Sequence, residues 1–128
     1  MNWDDQEREL AFSIEDLIPS VQKADKFLIW DFWNRKLLGV FNRSDVFPKQ
    51  NFSPHSCMYL AIIPIVSFNE PLFISTDLHI GQGIAGIERL MISESMIEIS
   101  ISLQGKRKGA VFILIPSNKS LDSNDQII

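Results

Sequence analysis

Hydrophobic and polar residues alternate most strictly between Ser95 and Leu103, where Ile97, Ile99, Ile101 and Leu103 are separated by Glu98, Ser100 and Ser102. A period of two places one set on each face, so the segment predicts a strand with one wet face. It leads through Gln104-Gly105-Lys106-Arg107-Lys108-Gly109 into Ala110-Val111-Phe112-Ile113-Leu114-Ile115, apolar throughout and stopped by Pro116. Two strands joined by a glycine-bounded turn predict a hairpin. The continuous second strand is expected to be buried on both faces or central in its sheet.

The same grammar recurs upstream. Lys26 to Phe32, Lys36 to Phe41, Val46 to Phe52, Ser56 to Ile63 and Leu72 to Thr76 are short β-rich runs separated by turn residues. Such spacing predicts an all-β fold, an antiparallel β-sandwich with Greek-key-like connections rather than a mixed architecture. The tight Asn34-Arg35 connection pairs the first two runs antiparallel. One turn of helix is predicted at Ser13-Ile14-Glu15-Asp16-Leu17-Ile18, where a serine precedes an acid by three residues and Pro19 closes the segment. With no repeat and no Gly-Ser or Pro-rich linker, residues 1–116 read as one domain and 117–128 as a frayed polar tail.

Composition narrows the function classes. Of 128 residues 45% are hydrophobic and 22% charged, which predicts a packed chain rather than a disordered one. Twelve basic against sixteen acidic residues give a net charge of −4, which argues against a nucleic-acid partner. The longest apolar stretch, Cys57 to Val66, is interrupted by Pro64 and is far shorter than the roughly 20 residues that span a bilayer. The acidic opening Asn2-Trp3-Asp4-Asp5-Gln6-Glu7-Arg8-Glu9 lacks the pattern of a secretion signal, so a cytoplasmic location is expected. The single Cys57 excludes an internal disulfide and reads as a small buried hydrophobe. The triplets beginning at Asn42, Asn51 and Asn118 match the glycosylation pattern and are assigned no role without an export signal.

The candidate chemistry is sparse. Nucleophilic catalysis needs a base within hydrogen-bond reach, and the chain offers only His55 and His79. His55 lies in the turn Ser53-Pro54-His55-Ser56 with no acid nearby in sequence, and reads as a turn residue. His79-Ile80-Gly81-Gln82-Gly83 lacks the helix and further glycine of a nucleotide loop and reads as a structural bend. Two histidines make an incomplete metal site, so no metal or cofactor is expected. Glycoside hydrolysis needs two facing carboxyls, and spacing nominates no pair among Asp31, Asp45, Asp77, Glu88, Glu94 and Glu98. Among Trp30, Phe32, Trp33 and Tyr59, alternation buries about half, and Trp33 at the turn is the best exposed candidate for stacking on a sugar.

Three ordered segments carry a family resemblance. Phe27-Leu28-Ile29-Trp30-Asp31-Phe32-Trp33-Asn34-Arg35-Lys36-Leu37-Leu38-Gly39 resembles the "aspartate, aromatic, tryptophan, few residues, Leu-Gly" strand pair in the C-terminal domains of α-galactosidase (melibiase)-type glycoside hydrolases. Pro54-His55-Ser56-Cys57-Met58-Tyr59-Leu60-Ala61-Ile62-Ile63-Pro64 is similar to that group's proline-histidine and apolar strand ending in Ile-x-Pro. Pro71 to Gly83 resembles its "Ser-Thr, two residues, His-Ile-x-Gln-Gly". The opening Asn2 to Arg8 also resembles the start of the domain just after its first strand, so the likeness covers nearly the whole chain. Three departures stand out: family members usually carry an additional strand before the Asn-Trp segment, Gly81 stands where Thr or Ser is commoner, and Glu88 to Ile92 lacks the usual Trp-Asp.

The resemblance implies a sandwich packed on the side of a catalytic (β/α) barrel whose aspartates are not in this chain, so no residue here is catalytic. The expected product is a truncated or split structural domain, with the barrel as its partner and an exposed edge open to a second copy of itself. Trp33, His79 and Gln82 are the expected sugar or interface contacts. The rival reading is an independent carbohydrate-binding module built on Trp30, Phe32 and Trp33, which an exposed aromatic platform would favour.

Overall fold

A computed structural model describes residues 1–18, 23–79, 81, 83–101 and 108–120. The chain divides into two compact units, Met1–Val66 and Ser67–Ile128. Nine strands and one short helix are defined among the described residues, and every strand pairing is antiparallel. The fold is therefore all-β, as the short alternating runs predict.

The first unit holds β1 (Arg8–Ser13), α1 (Ile14–Leu17), β2 (Lys26–Asp31), β3 (Lys36–Asn42), β4 (Val46–Phe52) and β5 (Leu60–Pro64). β1 pairs with β4, and β2 lies between β3 and β5. β2 alternates least and is buried from Phe27 to Asp31, because a strand flanked on both sides has neither edge in water. Ile14, Ile18, Phe27, Ile29 and Phe47 form the core, with Phe12, Ala24, Leu38, Phe41, Leu60 and Ile62 packed around them. Each of the five buried core side chains stabilises by roughly 1.5–3 kcal/mol on burial. The rings of Phe12 and Phe47, opposite one another in the β1–β4 ladder, stack with centroids 4.7 Å apart.

Helix α1 forms where predicted. Ser13 is its N-cap and its Oγ accepts from the Glu15 N–H at 3.1 Å, leaving Ile14 to enter the core. Ile18 ends it in an extended conformation (φ −106°, ψ 134°), which the following proline in the sequence favours.

The second unit holds β6 (Leu72–Thr76), β7 (Ile87–Ile92), β8 (Ile97–Ile101) and β9 (Val111–Leu114). Here the structure corrects the expected hairpin. β8 pairs with β7 across a tight turn at Ser93–Met96, where Ser93 N–H donates to Met96 O at 2.9 Å, and β9 pairs with β6. Nor is β9 central or fully buried: it lies in a two-stranded ladder and every residue is half-buried. β8 likewise lacks a distinctly wet face, all five residues being half-buried. Local alternation reports which residues share a face and says nothing of which neighbour supplies the hydrogen bonds.

The start of β5 is a second correction. The apolar run from Cys57 enters the ladder only at Leu60, because His55 takes a left-handed backbone (φ 53°) and Ser56 O is occupied by the Asn2 N–H at 2.8 Å. Cys57 therefore lies before the strand and is exposed, not buried. No described helix is long and apolar enough to cross a membrane.

Candidate functional site

The first motif segment folds as the β2–β3 hairpin, with Asp31 opposite Lys36 and Phe32 to Arg35 as the loop. Asp31 is 4% exposed and organises that loop: Oδ1 accepts from the Asn34 N–H at 3.2 Å and Oδ2 from Asn34 Nδ2 at 2.7 Å. Arg35 N–H donates to Phe32 O at 3.3 Å, and Arg35 turns back into β3 through a left-handed conformation (φ 49°). Gly39 sits at the bulge where the register shifts between Ile29 and Trp30, with φ 143°, a backbone state that side chains disfavour.

The loop divides the aromatic residues. Trp30 and Phe32 are buried, while the Trp33 indole is 56% exposed. Phe32 meets Trp33 edge-on at 5.1 Å and Tyr59 at 5.5 Å, and the Trp33 and Tyr59 rings lie 5.7 Å apart at 43°. Phe32 N–H donates to Tyr59 O at 2.9 Å, which ties the loop to the strand entrance beside it.

In the second motif segment the fold supplies what sequence proximity does not. His55 has no acid beside it in the chain, yet its Nε2 lies 2.9 Å from Asp5 Oδ1. Both side chains are exposed, and Asp5 almost entirely so. The pair tethers the opening segment to the Ser53–Ser56 turn and lacks the burial that tunes a catalytic dyad. The deeper tether is Asn2, 2% exposed, whose Nδ2 lies within hydrogen-bond distance of Gln6 O, Phe52 O and Ser53 O. A polar side chain between Met1 and Trp3 gives no signal of burial in the sequence.

The third motif segment belongs to the second unit. Ser75 and Thr76 are fully buried, and their hydroxyls hold the following loop. Ser75 Oγ accepts from the Gly83 N–H at 3.0 Å, and Thr76 Oγ1 lies 3.3 Å from Ala85 O and 3.4 Å from Gly83 O. His79 is exposed, and its Nδ1 accepts from the Gly81 N–H at 3.0 Å, so it shapes the bend. Gln82 and Ile80 lie outside the described residues. Asp77 Oδ1 accepts from the Ala110 N–H and joins the end of β6 to the start of β9.

The remaining acids are spread through the fold. Asp45 Oδ2 accepts from the Asn42 N–H at 2.7 Å, Glu98 pairs with Arg89 at 3.5 Å, and Glu88 and Glu94 are exposed. Among the described residues no group of three or more His, Cys, Asp or Glu side chains is placed to hold a metal ion.

No family model matches the chain, and no curated protein or solved structure matches it significantly.

Proposed function

We propose that the chain is a non-catalytic β-sandwich domain of an α-galactosidase-type glycoside hydrolase, one that packs against a separate catalytic barrel. The observation that carries this reading is how the motif residues are used. Asp31, His55, Ser75, Thr76 and His79 each bond a loop or turn, and most of their partners are backbone groups. Polar residues spent on backbone geometry are what a structural domain requires of its signature positions. The three segments lie in the order of the resemblance within one all-β chain.

A second observation supports an external partner. In β7, β8 and β9 no residue is fully buried, although isoleucine, leucine, valine and phenylalanine predominate. Half-covered apolar strands of this kind gain stability when a larger body covers them.

The test is urea unfolding of the purified chain with and without an α-galactosidase-type barrel expressed free of its own C-terminal domain. Binding to the folded state alone raises stability by about 2.7 kcal/mol at a hundredfold excess over Kd. A transition indifferent to the barrel overturns the reading.

A further inference from the structure

Trp33 is the most exposed aromatic residue of the three motif segments. Tryptophan ordinarily buries most of its surface, yet this one is exposed in a loop whose turn is fixed by the hydrogen bonds of Asn34 to Asp31. A ring held on a rigid turn loses little freedom on binding, so its face is preorganised for a ligand.

We propose that the exposed face of Trp33, with Tyr59 beside it, is a stacking subsite for one pyranose ring of a neutral sugar. The chemistry matches on three counts. A pyranose offers a flat patch of C–H bonds that packs on an electron-rich ring, while its hydroxyls stay at the rim. Tyr59 is half-buried, and among the described residues no protein group hydrogen-bonds its phenolic oxygen, which leaves that oxygen for a rim hydroxyl. The platform is one indole wide, on the order of 100 Å², against about 800 Å² per partner in a standard protein interface. Its size suits a single ring and not a protein surface. This inference needs no barrel and stands apart from the parent-enzyme reading.

The experiment is a titration of the isotope-labelled chain with methyl β-galactopyranoside and methyl β-glucopyranoside to about 50 mM, following the indole N–H signals by NMR. The expected result is a saturable shift of the Trp33 signal with a Kd in the millimolar range. The signal of Trp3, which is 75% exposed, serves as the internal control and stays in place. Trp33→Ala weakens sugar-induced shifts of neighbouring backbone signals at least about tenfold, Trp33→Phe keeps weaker binding, and Tyr59→Phe loses about threefold. A thermal midpoint close to the parent's shows that Trp33→Ala is folded; should it fall, Trp33→Phe and Tyr59→Phe decide. The proposal is overturned by the absence of a saturable shift with either glycoside, by shifts that glycerol reproduces, or by binding that survives Trp33→Ala.

Discussion

At the scale of single residues, buried polar side chains do more to fix this chain than its charged pairs. Asn2 and His55 anchor the same opening segment by different means, one through a side chain enclosed among three carbonyls and the other through an exposed imidazole on Asp5. Removing a buried donor strands its acceptors, which costs about 1–3 kcal/mol, whereas an exposed side-chain contact such as that of His55 with Asp5 contributes less than about 1 kcal/mol. We therefore expect Asn2→Ala to lower the urea midpoint markedly. His55→Asn, which keeps a residue tolerant of the left-handed backbone, should change the unfolding free energy by less than about 0.5 kcal/mol. Equal losses in the two variants would show that the contact between His55 and Asp5 carries the tether. Glycine offers a similar contrast. A Cβ at Gly109 would meet the Leu78 side chain and come within 2.9 Å of Asp77 Oδ1, the oxygen that accepts from Ala110. Gly83 has open space around it and only its φ of 76° to oppose a side chain. Gly109→Ala should cost about 1–3 kcal/mol by overpacking, and Gly83→Ala about 1–2 kcal/mol by strain alone. Thermal unfolding of the two variants separates crowding from backbone preference.

At the scale of elements, the cross-strand aromatic packing of β1, β3 and β4 is the most concentrated source of stability. Phe47 stacks on Phe12 and lies 5.5 Å from Phe41, with 2% of its surface exposed. Phe47→Ala should destabilise the first unit by about 3–5 kcal/mol, while Ser13→Ala, which removes only the cap of a four-residue helix, should cost about 1 kcal/mol. Denaturant titrations followed by circular dichroism check both. The elements differ sharply in how readable they are. The bounds of β4 and β6 follow directly from their composition, and α1 follows from Ser13 and Pro19, because turn and cap chemistry is local. β1 escaped because Arg8 and Glu9 mask the alternation of Leu10 and Phe12. β7 escaped because Ile87, Leu90 and Met91 follow a helical spacing, and its bulge between Ile87 and Arg89 breaks the period of two. The exchange of partners by β8 and β9 was beyond reading for a different reason: strand pairing is decided by tertiary contacts that a short alternating run does not encode. At the candidate site, Trp33 was legible as an exposed ring at a turn. The contacts of His55 with Asp5, and of Asn2 with Phe52 and Ser53, join residues some fifty positions apart and leave no local trace.

At the scale of the whole molecule, the two units differ in how much apolar surface they enclose. Most of the enclosed hydrophobic residues, among them Ile14, Phe27, Leu28, Ile29 and Phe47, lie in Met1–Val66, whereas Ile74 is the buried hydrophobic residue described in Ser67–Ile128. Local opening costs least where few apolar contacts are lost, so amide hydrogen exchange should grade across the chain. The amides of Phe27 to Trp30 in β2, paired on both sides, should exchange most slowly, and those of β7 and β8 should exchange at least about a hundredfold faster. The proposed barrel adds a second condition. If it covers the half-buried strands, protection should rise first in β7, β8 and β9, because the free energy of binding is expressed where opening would break the contact. A uniform rise would mean that the barrel stabilises the fold globally without covering these strands. Exchange in β7 and β8 as slow as that of β2 in the isolated chain would mean that they need no cover, and would remove the half-buried surface as an argument for a partner.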